Sequence, residues 1–403
     1  METTNLDLIK EISKTSSAKI LMLVIDGLGG LPHPNSGRTE LETTYTPNLD
    51  ELAAKSICGM SLPVGPGITP GSAPGHLSLF GYDPLAFRIG RGTLEALGID
   101  FELESGDVAA RGNFCTFDEN GLISDRRAGR IPTRQSSELC QLLDGIEISG
   151  VKIIVRPVKD HRFIAVFRGD NLNADISDSD PQQAMAAPKV VIATNRQSDF
   201  FAGIVNQFLK KAEGILADCQ PANMILLRGF SKRPQFPSMR DVYKLKAAAI
   251  AGYPMYRGLA KVIGMRVLDT GETIEDEIET LKQNFNSHDF FFIHIKQTDT
   301  AGEDGDFNRK VTSLEYVDST LPAILQLKPD VLVVCGDHST PAILSGHSWH
   351  PVPVMLYSKY CRPDGVTQFS ESAFQAGGLG RLNAVDIMPL AMANALKLGK
   401  FGA

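Results

Sequence analysis

Ser72 and a scattered set of carboxylates and imidazoles are the side chains whose types and spacing could do chemistry together. Ser72 lies in Gly71-Ser72-Ala73-Pro74-Gly75-His76, ahead of Leu77-Ser78-Leu79-Phe80. Pro74 suits a first helical turn, so the spacing predicts a helix that opens at Ser72. The backbone N–H groups at such an opening can hold a phosphate oxygen. The acids stand at Val24-Ile25-Asp26-Gly27, at Thr298-Asp299 and at Gly336-Asp337-His338-Ser339, with Glu303 and His347 following the last two. Asp299 and Glu303 are four residues apart, so one helical turn would put them on one face. This mixture of oxygen and nitrogen donors suits manganese, zinc or magnesium better than copper or a thiolate-bound metal. Two divalent ions held by such a set can clamp both the attacking and the leaving oxygen of a phosphoryl group. A serine hydroxyl is a weak nucleophile, and coordination to a cation activates it without a neighbouring base. The expected chemistry is phosphoryl transfer through a phosphoserine. A protease-like triad fits less well, because no Gly-x-Ser-x-Gly elbow surrounds Ser72.

Each residue also has a plainer explanation. Asp26-Gly27 could be a turn, and Asp337 or Ser72 a helix cap. Three acids at three apparent strand ends, one beside His338, favour the shared site. A second constellation is the run of Arg111, Arg126, Arg127, Arg130 and Arg134, centred on Asp125-Arg126-Arg127-Ala128-Gly129-Arg130. Guanidinium forks match carboxylate and phosphate bidentately, so the cluster suggests a small anionic substrate. A solvated face laced with internal ion pairs is the competing explanation. His161, Arg257 and Lys261 are further candidate substrate contacts. His76 could orient the site or simply pack in its helix, and His33, His288 and His350 receive no role.

The elements that must position these residues are visible as apolar runs. Ile20 to Ile25, Phe290 to Ile295 and Val331 to Cys335 each lead into one of the acids. Short continuous apolar runs fit parallel strands buried on both faces. Val352 to Tyr357 is another strand candidate, and helical patterns cover Ile274 to Phe285 and Lys310 to Leu327. Alternation of strands and helices predicts a mainly parallel sheet with ligands beyond its carboxyl edge. Thr46-Pro47 reads as a capped helix start, with Thr46 as the cap. From Phe87 to Gln183 the pattern changes to short strands and turns. Lys152 to Arg156 and Arg162 to Arg168 look like paired strands, and Asp170 to Asp180 looks like a loop. The expectation is a discontinuous metal-binding core, 1–86 and 184–403, with a smaller α+β substrate domain inserted at 87–183.

The chain has 403 residues, enough for two domains. Its formal net charge of −7 argues against a nucleic-acid partner. No apolar run is long enough to span a membrane, and the charged N-terminal segment does not read as a secretory signal. The six cysteines are dispersed with no CxxC pair, which fits reduced thiols and a cytoplasmic setting.

Taken together the motifs resemble the cofactor-independent phosphoglycerate mutases, specifically the archaeal-type branch of the alkaline phosphatase superfamily. The matching stretches include Val24 to Gly27, Thr46 to Asp50, Pro70 to Pro84, Gly90-Arg91-Gly92, Arg111 to Phe114, Asp125 to Arg130, Gly336 to Pro341 and His347-Ser348. Phe80-Gly81-Tyr82-Asp83-Pro84 and Asp125 to Arg130 are specific to that branch. The resemblance implies an alkaline phosphatase-like α/β fold, a mainly parallel sheet flanked by helices with an inserted α+β domain. It implies one metal on Asp26, Ser72, Asp337 and His338, and another on Asp299, Glu303 and His347. Manganese is the first choice, with zinc, magnesium or cobalt as alternatives. Arg111, Asp125, Arg126, Arg127, Arg130, His161, Arg257 and Lys261 would bind substrate. The activity implied is interconversion of 3- and 2-phosphoglycerate in glycolysis and gluconeogenesis, through phosphorylated Ser72 and without 2,3-bisphosphoglycerate. The inserted domain would keep water from the intermediate. Two positions depart from the more familiar pattern: Glu303 stands where histidine is usual, and Ala73-Pro74 replaces an acidic pair. Other enzymes of the superfamily, phosphatase or phosphomutase, and a catalytically inactive relative with a binding role are the alternatives. The oligomeric state is left open.

Overall fold

The apolar runs that precede the three acids become neighbouring strands of one sheet. In the computed structural model, which describes residues 6–402, the strands in chain order are β1 (Ile20–Ile25), β2 (Ile57–Leu62), β3 (Val108–Phe117), β4 (Ile123–Asp125), β5 (Ile146–Ile148), β6 (Val151–Pro157), β7 (Arg162–Arg168), β8 (Met224–Ser231), β9 (Ala247–Ile250), β10 (Arg266–Leu268), β11 (Phe290–Ile295), β12 (Val331–Cys335), β13 (Val352–Ser358) and β14 (Gly380–Asn383). The chain divides into two compact units. The first takes the chain up to Arg88, Phe236–Tyr256 and the chain from Ile263 onward; the second takes Ile89–Gln235 and Arg257–Val262.

The first unit is built on an eight-stranded sheet in the order β10-β9-β11-β1-β12-β13-β2-β14. All adjacent pairs are parallel except those of β13, which is antiparallel to β12 and β2. Every side chain of β1, β11 and β12 is buried, as a sheet covered on both faces requires. Because β11, β1 and β12 lie side by side and parallel, the residues that leave their carboxyl ends emerge together. Those residues are Lys296 to Asp299, Asp26, and Gly336 to His338.

The loops that carry the acids are fixed from behind by buried charge. Lys310, on helix Phe307–Leu325, is fully buried and donates to the carbonyls of Gly29 (2.9 Å) and Thr340 (2.8 Å). Glu371 accepts from the Gly30 N–H at 2.9 Å, and Glu40 from the Ala342 N–H at 2.7 Å. One ammonium and two carboxylates thus reinforce the direct pairing of the two loops, in which the Thr340 N–H donates to the Gly29 carbonyl at 3.0 Å. Helix Pro47–Ala53 begins as expected with proline first, but the Thr46 hydroxyl does not cap it. The Asp318 carboxylate does so instead, accepting from the Leu49 N–H at 2.7 Å.

The second unit is an antiparallel sheet, β4-β3-β7-β6-β5, with β8 paired to β3. The expected pairing of Lys152 to Arg156 with Arg162 to Arg168 is present as β6 and β7. Its core gathers Phe114, Phe163, Phe167, Phe201 and Phe208. The domain boundary differs from the sequence expectation. Residues 184–235 belong to the second unit, because helix Asp199–Leu216 buries Phe201, Phe208 and Leu216 in that core and β8 completes its sheet. The polar stretch Asp170 to Asp180 is a loop, as expected, and lies within the second unit.

Candidate active site

Helix Ser72–Leu79 opens at Ser72 with Gly71 before it, as the spacing predicts. The Ser72 hydroxyl, almost fully buried, lies 3.3 Å from His338 Nε2. The same nitrogen is 3.3 Å from Asp26 Oδ1 and 3.1 Å from Asp337 Oδ2. Asp26, Asp337 and His338 therefore form one group whose ligand atoms all face one another beside the serine. His76, four residues on from Ser72, places Nδ1 2.9 Å from the Ser72 carbonyl and 3.1 Å from Asp337 Oδ2. Burial alone would lower the His76 pKa, but the adjacent Asp337 carboxylate raises it. His76 thus ties the serine helix to the strand-end acid.

A second group contains Asp299, His338 and His347. His347 Nε2 lies 3.7 Å from Asp299 Oδ1 and 3.8 Å from Glu303 Oε1. Helix Gln297–Glu303 does put both acids within reach of that imidazole, with Asp299 buried and Glu303 about half exposed. Hydrogen bonds decide which imidazole serves which group. The Thr340 hydroxyl donates to Asp299 Oδ1 at 2.6 Å, so its oxygen accepts from His338 Nδ1 at 2.9 Å. That leaves the His338 Nε2 lone pair toward Asp26, Asp337 and Ser72. His347 Nδ1 donates to the Pro70 carbonyl at 2.9 Å, which leaves its Nε2 lone pair toward Asp299 and Glu303. Burial, with His347 stacked 3.6 Å away, pushes His338 down to about 3, so its ring is neutral and able to ligate.

Asp26 Oδ1 is buried with no hydrogen-bond partner, and Asp337 Oδ2 is approached by the imidazoles of His76 and His338, each at 3.1 Å. Such atoms are costly to bury unless a cation meets them. The donor set, the imidazole lone pairs set by these hydrogen bonds and the under-partnered oxygens fit a pair of divalent ions. The sites lie close because the backbone does. A Cβ on Gly27, which has φ of 68°, would come within 2.9 Å of Asp299 Cα, so only glycine lets the two loops approach.

In the second unit His161 is buried, and it is pushed down to about 3 by burial and by Arg162, Arg111, Arg127 and Arg130 around it. Four of the expected substrate residues, Arg111, Arg127, Arg130 and His161, are thus brought together, with Arg162 added. Asp125 instead builds the loop, accepting from the N–H groups of Arg127 (2.8 Å) and Gly129 (2.6 Å). That turn holds Ala128, Gly129 and Arg130 at positive φ. Arg126 forms a fork with Asp180 at 2.7 and 3.2 Å. Arg257 and Lys261 both meet Asp100. Arg134 is a solvated helix residue beside Glu138.

The sequence model of the 2,3-bisphosphoglycerate-independent phosphoglycerate mutases matches residues 53–223. A probable 2,3-bisphosphoglycerate-independent phosphoglycerate mutase of Deinococcus radiodurans is 50% identical over 99% of both chains. A protein of the same description from Thermosipho africanus is 50% identical over 98% of both. The chain belongs to this family. Among solved structures, the cofactor-independent phosphoglycerate mutase of Thermoplasma acidophilum superposes with a TM-score of 0.65 at 30% identity, covering 94% of this chain and all of the other. A Pyrococcus horikoshii protein gives 0.83 at 29% identity, covering 96% and 100%.

Several residues of this family member's site escaped the sequence reading. His294 Nε2 donates to Asp26 Oδ2 at 2.9 Å, and the buried Tyr256 hydroxyl donates to the same oxygen. Lys296 Nζ reaches Asp26 Oδ2 at 3.0 Å and Asp299 Oδ2 at 2.5 Å. Burial alone would raise the Asp26 carboxyl, but the Lys296 ammonium and the His294 hydrogen bond hold it well below its usual value. His294 alternates within an apolar strand, and Lys296 follows that strand directly; a polar residue in such a run was the available signal.

Proposed function

We propose that this mutase interconverts 3- and 2-phosphoglycerate through a phosphorylated Ser72 at a site for two divalent ions. The observation that carries this is the Ser72 hydroxyl 3.3 Å from His338 Nε2, inside a cluster of buried carboxylates. Asp26, Ser72, Asp337 and His338 would hold one ion, and Asp299, Glu303 and His347 the other. When bound, such ions polarise phosphoryl oxygens and favour the alkoxide form of a coordinated hydroxyl.

Ser72 Oγ attacks phosphorus as the bond from phosphorus to the glycerate 3-oxygen breaks, and the serine hydroxyl proton ends on that 3-oxygen. The glycerate 2-oxygen then attacks the phosphoserine as the Ser72 Oγ–phosphorus bond breaks, and the 2-hydroxyl proton ends on Ser72 Oγ. Backbone N–H groups at the head of helix Ser72–Leu79 face the charge carried through both steps. In the second unit, Arg111, Arg127 and Arg130 match a glycerate carboxylate in charge and fork geometry. His161 stays neutral among them and can donate or accept a hydrogen bond to a hydroxyl. Arg126, Asp125, Arg257 and Lys261 shape the surrounding protein through Asp180, the arginine loop and Asp100. A reaction of this kind would serve the step of glycolysis and gluconeogenesis that moves phosphate between the two glycerate hydroxyls.

Purified protein supplied with 3-phosphoglycerate and no bisphosphoglycerate should form 2-phosphoglycerate, and chelation or Ser72→Ala should abolish it. Turnover that survives both treatments contradicts the proposal.

A further inference from the structure

Lys296 is the first residue after β11 and stands three before Asp299. Its ammonium has three N–H donors. All three find oxygens: Asp299 Oδ2 at 2.5 Å, Asp26 Oδ2 at 3.0 Å and the Tyr256 hydroxyl at 3.1 Å. The ammonium is therefore aimed as well as charged. Tyr256 is itself held, its ring stacked on His294 at 3.6 Å between centroids.

On each acid Lys296 takes one oxygen and the other approaches an imidazole of the candidate metal groups. On Asp26, Oδ2 takes Lys296, His294 and Tyr256, while Oδ1 has no hydrogen-bond partner and lies 3.3 Å from His338 Nε2. On Asp299, Oδ2 takes Lys296, while Oδ1 takes Thr340 and lies 3.7 Å from His347 Nε2. Lys296 thus sits on the oxygens opposite those that approach His338 and His347, and leaves the latter toward the two candidate ion sites.

We propose that Lys296 is a positioning residue that locks Asp26 and Asp299 together by their outer oxygens, so that both metal groups form at once. The proposal rests on the two-ion reading above. Four carboxylates, Asp26, Asp299, Glu303 and Asp337, converge on two imidazoles, and like charges at such range repel. One fixed ammonium between two of them offsets that repulsion and sets the rotation of both carboxylates. Without it Asp299 Oδ2 loses its ammonium partner while Asp26 Oδ2 keeps His294 and Tyr256, so the link between the two acids is broken, Asp299 is free to rotate, and the two ion sites lose their common wall.

The test is titration of metal-free full-length protein with cobalt(II), followed by calorimetry and visible absorption. Wild type should bind two equivalents. Lys296→Met should bind about 10–100-fold more weakly, as loss of a ligand-orienting partner does, with a changed visible band. Lys296→Arg, which keeps the charge and several donors, should recover part of the affinity. Lys296→Gln keeps a donor without the charge and is read in the same way, so poor folding of the methionine variant does not decide the matter. If Lys296→Met or Lys296→Gln binds cobalt as tightly as wild type, or more tightly, the ammonium is only a counter-ion displaced by metal and the proposal falls. If wild type binds fewer than two equivalents, the two-ion reading falls with it.

Discussion

Thr340→Val removes one hydroxyl and nearly nothing else, and it tests how the two metal groups are kept distinct. Thr340 is fully buried and joins His338 Nδ1 at 2.9 Å to Asp299 Oδ1 at 2.6 Å. Valine has the same shape and no polar atom, so a buried N–H and a buried carboxylate oxygen lose their partner. Each such loss costs about 1–3 kcal/mol. The His338 tautomer is also released, so Nε2 no longer holds its lone pair toward Asp26 and Asp337. Removal of a partner of this kind lowers metal affinity about 10–100-fold, or roughly 1.4–2.7 kcal/mol. Calorimetric titration with manganese should show that loss, and urea unfolding of metal-free protein should show the stability loss. Thr340→Ser keeps the hydroxyl and should bind nearly as wild type. A valine variant that binds manganese within about twofold of wild type would refute the reasoning, because the Thr340 bridge would then not control ligation.

Three further outcomes are expected. Lys310→Met takes the charged donor from the Gly29 and Thr340 carbonyls, so urea unfolding of metal-free protein should show a loss of about 1.5–3 kcal/mol or more; a loss under about 1 kcal/mol would deny Lys310 its role behind the loops. Glu277 has an unpartnered carboxylate oxygen, and burial raises its pKa from 4.5 to about 8. The folded state therefore keeps a proton that the unfolded chain releases, so its contribution to stability is full below pH 4.5 and is lost as pH rises through about 8. Glu277→Gln should flatten that decline, which approaches about 1.4 kcal/mol per pH unit within the window, in urea unfolding at pH 5, 7 and 9; an unchanged pH profile counts against it. Arg127→Ala removes one charge-assisted contact from the cluster around His161 and should raise KM for phosphoglycerate about 10-fold or more with a smaller change in kcat. Unchanged KM would take Arg127 out of the substrate set.

What was legible in sequence was whatever depends on local pattern. The apolar runs before Asp26, Asp299 and Asp337 announce buried parallel strands, because a strand covered on both faces has no polar alternation to hide it. Pro74 announces the helix that opens at Ser72. Other features depend on contacts between distant segments. Asp318 caps helix Pro47–Ala53 across 269 residues, displacing the local Thr46 hydroxyl. Helix Asp199–Leu216 joins the second unit because its aromatic face finds that core, which no boundary signal near residue 184 reveals. Lys296 and His294 look like strand-end and strand-interior polar residues until Asp26 is seen beside them. The arginine run looked uniform, yet Arg126 is committed to Asp180 while Arg127 and Arg130 surround His161.

The central claim is that Ser72 carries the phosphoryl group between the two glycerate oxygens. Enzyme mixed with 3-phosphoglycerate bearing a labelled phosphoryl group, acid-quenched within one turnover and digested, would locate it by peptide mass spectrometry. The account predicts one labelled phosphate on the Gly71-Ser72-Ala73-Pro74 peptide, absent after Ser72→Ala. Label on another side chain, or unlabelled Ser72 throughout productive turnover, would contradict it.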